Sequence, residues 1–486
     1  MINNMIIISI LKFKSFFFEN NFAALPRTLQ IPIFDADFTQ MDDQRTATLT
    51  ELLNSGIEGE VRTDRSSRLM YATDASIYRE EPLAIVIPRN ADDIKKLLAF
   101  AAKHRIGIIP RAAGTSLAGQ VVGSGIVADL SRHFGKILEI NTEERWVRLE
   151  PGVVPDELNA ALRSHGLLFG PETSTSSRCN LGGMIGNNGC GLHSVFYGSV
   201  RDHIIEVRGL LHDGSEVVFS ELTADQFNQK CSLQTAEGEI YREVERIMTN
   251  PVHRESIMAG YPEKSIPRRN TGYALDDLLY SEPFTPGADR KVNLARLICG
   301  SEGTLAIVTE AKLGLVPLPP PVKALACVHL HHRNEAFRAN LIALQYQPWA
   351  VELMDSTILN LAATVESQKR NRFFIEGDPG ALLIVEFCAG SREEIISTVA
   401  AMEREMRSRE LGYAFPVVWN GDVKRVWDLR KAGLGILSNM PGDARPVSLI
   451  EDCAVDVNRL GGFVAEIEEM LASYGKESVY HAHIGT

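Results

Sequence analysis

The stretch of sequence that decides the fold is LGGMIGNNGCG, residues 181–191. Five of these residues are glycines, a density that predicts neither a packed strand nor a packed helix. The apolar residues around them indicate burial, whereas a flexible linker would be polar and rich in serine. The stretch is therefore typical of backbone that lies close against a large, flat ligand.

Three more loops carry small residues: PRAAGTSLAGQVVG at 110–123, GPETST at 170–175 and CGSEGTLAIVTE at 299–310. The first follows a predicted strand, helix and strand, and its backbone N–H groups can turn inward to cradle a phosphate. It is neither a Walker loop nor a G-x-G-x-x-G that opens a helix, so a nucleoside triphosphate or Rossmann site is not indicated. Taken alone, such a loop is equally well an ordinary tight turn.

The composition narrows the class of protein. The chain has 486 residues, 45% of them apolar, which is enough for two or more domains with cores. A net charge of -12 argues against a nucleic-acid partner. The 7 cysteines form no C-x-x-C pair, which predicts reduced thiols in a cytoplasmic protein and no iron–sulfur cluster in this chain. The apolar stretch 5–18 is short and contains two lysines, so no transmembrane segment is predicted.

Alternating strand-like and helix-like runs favour an α/β or α+β enzyme. Residues 1–40 are interpreted as a disordered or weakly ordered extension, and 41–79 as a leading helix and loop. The proline-rich run 317–321 predicts a boundary between domains at 80–318 and 319–486. Strands are predicted near 83–87, 106–109, 305–309, 313–316, 324–331, 381–388 and 447–455, and helices near 91–103, 155–164, 334–346, 391–408 and 457–474.

Together, the loops resemble the FAD-binding domain of the vanillyl-alcohol oxidase/p-cresol methylhydroxylase (PCMH-type) family. The resemblance spans about residues 80–320 and includes YGSVRD at 197–202. It implies an α+β fold in which a two-subdomain FAD-binding domain precedes a mixed-sheet cap domain for the substrate. Within the family, the chain looks most like the glycolate, D-lactate and D-2-hydroxyglutarate dehydrogenases. The GNNGCG form resembles large members that carry an iron–sulfur module.

The resemblance also implies which residues hold FAD. Backbone amides would hold the pyrophosphate at Arg111, Ala112, Ala113, Gly114, Thr115, Ser116 and Gly119. The ribityl chain and ring would lie along Pro171, Ser174, Thr175, Gly182, Gly183, Asn187 and Gly191, with Ile307 packed at the isoalloxazine. Thr115 stands where many relatives carry a histidine that binds flavin covalently, so FAD is expected to be non-covalent in this chain.

Two catalytic residues are carried over from the family. Arg430 matches an arginine that clamps the substrate carboxylate, and a guanidinium can bind both oxygens at once. His483 matches the first histidine of a motif that holds a divalent metal such as Zn. From the residues alone, these are a solvated helix arginine and an ordinary tail histidine. The nearby Glu451 and Asp452 are expected to be structural.

The rest of the metal motif would lie beyond Thr486, so the cap and its metal site are expected to be incomplete, in a fragment of a larger FAD- and Fe–S-binding protein. The implied activity is a dehydrogenase that passes the α-hydrogen of a D-2-hydroxy acid to flavin N5 as hydride. Electrons would leave to an Fe–S or quinone-linked acceptor. The alternatives are a non-catalytic electron-transfer subunit and an oxidase of the same fold. The expected location is the cytoplasm or the inner face of the membrane.

Overall fold

The computed structural model describes residues 5–8, 47–269, 272–443, 446–450 and 453–486. Three sheets organise them: a four-stranded sheet, a five-stranded sheet and a seven-stranded sheet. The first strand, β1 (Met5–Ile8), belongs to the seven-stranded sheet, where its backbone pairs with two strands from the end of the chain. The remainder of the predicted extension 1–40 lies outside the described residues, as do Glu451 and Asp452.

The four-stranded sheet has the order β2-β3-β5-β4, formed by β2 (Glu60–Arg62), β3 (Ala84–Ile87), β4 (Ile108–Arg111) and β5 (Ile126–Asp129). The helices here are α1 (47–53), α2 (Arg65–Met70) and α3 (Ala91–His104). The side chain of Asn90 caps α3 by accepting a hydrogen bond from the backbone N–H of Asp93, which confirms the predicted start of that helix. The loop after β4 leaves the carboxyl edge of parallel strands, where ligands commonly bind.

The five-stranded sheet is antiparallel in the order β10-β9-β13-β7-β6. It comprises β6 (Ile137–Asn141), β7 (Trp146–Leu149), β9 (Ile204–Leu210), β10 (Glu216–Phe219) and β13 (Ile307–Gly314). The prediction of two strands at 305–309 and 313–316 was wrong, because Glu310 and Lys312 alternate with the buried Ala311 and Leu313 along one strand.

Short strands and helices surround this sheet. Two small ladders join β8 (Leu167–Leu168) with β14 (Val316–Pro317), and β11 (Glu221–Leu222) with β12 (Val292–Asn293). The helices are α4 (Pro155–Leu162), α5 (Leu181–Asn187), α6 (Ser194–Tyr197), α7 (Val200–His203), α8 (Ala224–Cys231), α9 (Ala236–Thr249), α10 (Pro251–Gly260), α11 (Leu275–Leu279) and α12 (Ala295–Ile298). A three-residue 3-10 helix, Arg163–His165, extends α4.

Helix α5 contradicts the prediction that the glycine-rich stretch forms no packed helix. Leu181, Met184 and Ile185 bury one side of it in the core, which stabilises a short helix despite its glycines. A Cβ added to Gly182 would lie 2.5 Å from Cβ of Pro151, closer than side chains can pack. The glycines therefore allow the helix to approach its neighbours rather than prevent it from forming.

The seven-stranded sheet forms the cap domain, in the order β18-β15-β17-β16-β20-β1-β19. Its strands after β14 are β15 (Val322–Leu330), β16 (Ala350–Asp355), β17 (Ala381–Ala389), β18 (Val417–Trp419), β19 (Val447–Ile450) and β20 (Glu477–His483). The helices are α13 (Arg333–Gln345), α14 (Ser356–Thr364), α15 (Glu366–Lys369), α16 (Arg392–Ser408), α17 (Gly421–Ser438) and α18 (Leu460–Ser473), with a 3-10 turn at Arg370–Arg372.

The two faces of the cap sheet have different coverings. Helices α13, α16 and α18 pack on one face, and α14 and α17 pack on the other. Successive residues of a strand point to opposite faces of the sheet, so each side chain can be assigned to one of the two helix layers. The face under α17 carries the residues that concern the site.

Candidate functional site

A cavity of about 1220 Å³ lies where the glycine loops of the first domain face α17 and the cap sheet. Its walls come from the loop after β4, the segment from Glu172 to Leu192, the turn at 301–303 and several cap residues. Sites for drug-sized ligands have volumes of roughly 300–1,000 Å³. This cavity therefore has room for a larger ligand, such as a dinucleotide, beside a small substrate.

Most residues predicted to hold flavin lie on the cavity wall: Arg111, Ala112, Ala113, Gly114, Thr115, Ser116, Ser174, Thr175, Gly182, Gly183, Asn187 and Gly191. The structure brings these residues together from three separate loops. Gly119 and Pro171 lie outside the wall, although their neighbours Ala118 and Glu172 contribute to it.

Ile307 also lies off the cavity wall. Its side chain is 5% exposed and packs with Leu98 and Leu210 in a separate apolar cluster. The neighbours Ala306 and Val308 line the cavity instead. Strand alternation explains the difference, because adjacent residues of a strand point to opposite sides.

The glycine loops support one another at short range. The backbone N–H of Glu302 donates to the carbonyl of Gly186 at 2.9 Å, and its side chain accepts a hydrogen bond from Asn187 at 3.1 Å. A Cβ at Gly191 would lie 2.3 Å from the carbonyl oxygen of Glu172. A Cβ at Gly186 would meet nothing nearer than 3.7 Å, so this glycine borders open cavity. Walls made of closely spaced backbone fit a flat cofactor, and the half-buried cation Arg111 beside them fits its phosphates. The site therefore fits FAD.

On the cap side, four polar residues lie in a row on the sheet face under α17. Glu386 is on β17, Glu352 on β16, and His481 and His483 on β20. Glu352 pairs in register with His483, so the two side chains leave the sheet on the same face. Both glutamates are almost fully buried, at 0% and 1% exposure, and each needs a partner.

Arg430 is the partner of Glu352. It lies on α17 and is 7% exposed, and its Nε and Nη2 donate to Oε2 of Glu352 at 2.9 and 2.7 Å. The other carboxylate oxygen contacts Nδ1 of His483. Arg430 is therefore a buried, paired cation on the cavity wall and not a solvated helix residue.

Both histidines of β20 are neutral. Burial and the charge of Arg430 hold the pKa of His481 well below its ordinary value, and its Nε2–H donates to the carbonyl of Arg430 at 2.7 Å. Burial also lowers the pKa of His483, against the opposing effect of Glu352. With Nδ1–H of His483 held by Glu352, Nε2 is the nitrogen that carries the lone pair. Gly433 makes room for His481, because a Cβ there would lie 2.6 Å from Nε2.

Glu386 has its partner in the other domain. Nε2–H of His193 donates to Glu386 at 3.1 Å, and Nδ1–H of the same ring donates to Glu172 at 2.7 Å. We call these three residues the interdomain bridge. Burial opposes protonation of His193, but the two carboxylates outweigh it and raise its pKa to about 10. Burial alone would raise the pKa of Glu386, yet the hydrogen bond and charge of His193 lower it to about 2. The bridge is therefore fully charged at neutral pH.

This bridge predicts how stability depends on pH. His193 has a folded pKa of about 10 against an ordinary value of 6.5, so its contribution is complete below pH 6.5 and is lost as the pH rises to about 10. Over that window the free energy of unfolding of the wild type should fall by up to about 1.4 kcal/mol per pH unit because of this group. In His193→Gln this fall should be absent. Denaturant unfolding of both proteins from pH 6 to pH 10 measures the difference.

At acid pH the same ion pair is lost when Glu386 takes up a proton. The contribution of Glu386 to stability is complete above its ordinary pKa of 4.5 and disappears as the pH falls to about 2. A constant gap between wild type and His193→Gln from pH 6.5 to pH 10 would contradict a charged bridge.

The described residues contain no group of three or more His, Cys, Asp and Glu side chains that could hold a metal ion. His483 is thus the single predicted metal ligand present in the structure, and these residues do not make a metal site. In the same parts of the chain, no helix combines the length and apolar character needed to cross a membrane.

Several site residues were missed from the sequence: Glu172, His193, Glu352, Glu386, Trp427, Lys431 and His481. A usable signal existed for two of them. Glu352 stands in AVELMD and Glu386 in ALLIVEFCA, single carboxylates within strands that are otherwise apolar. A buried charge is costly unless it is paired, so such a residue points to a partner in the fold. His193 gives no comparable signal, because its partners are far away in sequence.

Comparison with known proteins supports the fold and the cofactor. The family model described as "FAD binding domain" matches residues 82–220, and "FAD linked oxidases, C-terminal domain" matches residues 319–486. Among solved structures, alkyldihydroxyacetonephosphate synthase superposes with a TM-score of 0.52 at 16% identity, covering 81% of this chain and 65% of that one. At that identity the likeness concerns the fold alone.

Curated relatives extend the match over most of the chain. D-2-hydroxyglutarate dehydrogenase of Pseudomonas putida is 34% identical over 90% of this chain, and that of Escherichia coli is 33% identical over 90%. The chain spans 43% of the length of each of these two relatives. Glycolate oxidase subunit GlcD of Bacillus subtilis is 26% identical over 86% of this chain and 75% of that protein. The PCMH-type resemblance is confirmed, and the chain carries an FAD-binding domain and the C-terminal domain of FAD-linked oxidases.

Proposed function

We propose that this chain forms the flavin-containing part of a dehydrogenase that oxidises a D-2-hydroxy acid of the D-lactate, glycolate or D-2-hydroxyglutarate type. The observation that carries the proposal is that a buried cation, Arg430, and a neutral histidine, His483, both contact Glu352 and both line the cavity. Oxidation of a hydroxy acid requires a cation for the carboxylate and a base for the hydroxyl proton. The names of the curated relatives indicate the same class of substrate.

Arg430 would orient the substrate through its remaining edge. Glu352 holds Nε and Nη2, and one N–H of Nη1 donates to Nδ1 of His481 at 2.8 Å, so the second N–H of Nη1 would bind the substrate carboxylate. A charged hydrogen bond in a buried site fixes orientation as well as adding affinity. Lys431, the next residue of α17, also lines the cavity and adds positive charge to the same wall.

His483 would take the hydroxyl proton at Nε2. Its lowered pKa keeps that nitrogen unprotonated before reaction, and Glu352 holds Nδ1–H and so fixes the tautomer. Once Nε2 is protonated, the carboxylate of Glu352 stabilises the resulting imidazolium. This division of roles resembles the general arrangement of a histidine base oriented by a buried carboxylate.

FAD would be held non-covalently by the three glycine loops, from Arg111–Ser116, Ser174–Thr175 and Gly182–Gly191. When bound, FAD supplies the acceptor for the α-hydrogen of the substrate as hydride. The electrons would then pass to an iron–sulfur or quinone-linked acceptor, in the cytoplasm or at the inner face of the membrane. A divalent metal bound in a longer protein would need the same Nε2 of His483, so the metal-ligand role and the base role exclude each other, and we assign His483 the base role.

The proposal predicts that one hydroxy acid reduces the bound flavin. Protein loaded with FAD is mixed without oxygen with D-2-hydroxyglutarate, D-lactate or glycolate, and the visible absorbance of the flavin is followed. We expect bleaching with at least one acid, and none with the corresponding L-isomer of the first two. Flavin that stays oxidised with all three acids, in protein that retains stoichiometric FAD, would contradict the dehydrogenase and favour a non-catalytic electron-transfer role.

A further inference from the structure

The interdomain bridge joins the two walls of the cavity, and of its three residues Glu172 alone lines it. His193 and Glu386 do not contribute to the cavity wall, but each has a partner that does. On the flavin side this partner is Glu172, next to the predicted flavin contacts Ser174 and Thr175. The bridge therefore has one end in the loop that would hold FAD.

The other end of the bridge reaches the helix of Arg430. Glu386 uses its second oxygen, Oε2, to accept a hydrogen bond from Nε1–H of Trp427 at 2.8 Å. Trp427 lies three residues before Arg430 on α17, so both occupy one face of that helix, and both line the cavity. A continuous series of hydrogen bonds thus runs from the flavin loop through His193 and Glu386 to the substrate-side helix.

A second contact holds the domains together at the same place. The ring of Phe196 on α6 stacks on Trp349 of the cap with centroids 3.8 Å apart and planes inclined by 17°. The backbone N–H of Trp349 donates to the carbonyl of Glu386 at 2.8 Å. The backbone of Glu386 is therefore anchored beside an interdomain stack while its side chain receives His193.

We propose that His193 is a positioning residue, which sets the distance and orientation of the flavin loop relative to α17 by pairing Glu172 of one domain with Glu386 of the other. His193 does not line the cavity, so the role assigned to it is to position the two walls and not to contact substrate or flavin. Hydride transfer depends steeply on such geometry, and a displacement of about 1 Å can lower a rate about a hundredfold. The kinetic part of this inference rests on the proposed function, and the part that concerns the link between the two walls does not.

The link is tested by amide hydrogen exchange, which needs no substrate. The variants are His193→Gln and Glu386→Gln, both with FAD bound, and the double variant. Glu386→Gln keeps a side-chain oxygen that can accept the hydrogen bond from Trp427. Lys323→Gln is the matched control. Nζ of Lys323 lies 3.4 Å from Oε1 of the same Glu386, but Lys323 belongs to the same domain as that glutamate, so their contact does not join the two domains.

We expect exchange in His193→Gln to rise about tenfold both at 171–175 and at 427–435, two segments that are distant in sequence. Lys323→Gln should change neither by more than about twofold. The double variant should add little to His193→Gln, because both substitutions remove the same link. Increased exchange confined to the residues around 193, or an equal effect of Lys323→Gln, would overturn the proposal.

The kinetic readout separates positioning from binding. With a reducing hydroxy acid, the rate constant for flavin reduction in His193→Gln should fall about 10–100-fold, while substrate affinity and FAD content change less than about threefold. Loss of substrate affinity with an unchanged reduction rate would contradict a positioning role. If no acid reduces the wild type, the proposed function fails, and the exchange experiment still decides whether His193 links the two walls.

Discussion

Arg430→Met is expected to lower the free energy of unfolding by about 3–5 kcal/mol and to lower kcat/KM for the hydroxy acid by more than about a hundredfold. The loss of stability follows from Glu352, which is 0% exposed and would lose its buried cationic partner. The loss of activity follows from the carboxylate-binding role proposed for Nη1. Chemical denaturation and flavin-reduction kinetics measure the two effects separately.

A double variant distinguishes the two roles of Arg430. Arg430→Met with Glu352→Met removes both charges from the buried pair and should recover most of the lost stability, because a well-packed apolar pair can replace a buried ion pair. It should not recover activity. Arg430→Lys is the control for geometry, since it keeps the charge but loses the planar fork. Near-normal kcat/KM in the stabilised double variant would refute the carboxylate-binding role of Arg430.

The meeting of the predicted flavin residues at one cavity could be anticipated because their signal is local. Glycine loops such as 110–123 and 181–191 carry their function in a run of neighbouring residues, and most of the predicted contacts line the cavity. The exceptions have a local cause as well. Ile307 faces the apolar cluster because its side chain leaves β13 on the opposite side from that of Val308.

The cap side of the site could be predicted only in part, because its geometry depends on sheet register. Glu352 and His483 are 131 residues apart and become partners through the pairing of β16 with β20. His193 and Glu386 are 193 residues apart and lie in different domains. A single sequence contains nothing that relates such positions, whereas a lone glutamate in an apolar strand does indicate that a partner exists.

Gly186→Leu is expected to fold normally and to lose FAD. An added Cβ would be 3.7 Å from Cα of Glu302, an ordinary contact, so the protein does not obstruct the first atom of a side chain there. Replacing glycine within a helix should even stabilise it, by about 0.5–1 kcal/mol. The larger side chain would occupy cavity space between the stretch 181–191 and the turn at 301–303. Overpacking of about 1–3 kcal/mol corresponds to a loss of roughly 5- to 150-fold in FAD affinity.

Gly435→Leu provides the matched control on the opposite wall. Gly435 lies on α17, lines the same cavity, and a Cβ added there would meet nothing within 4 Å. This variant should retain FAD and respond poorly to the hydroxy acid, because the side chain would enter the substrate side of the cavity. Equilibrium titration of the apoprotein with FAD, followed by anaerobic reduction, separates the two variants. If Gly186→Leu binds FAD as tightly as the wild type, the flavin does not lie between these loops.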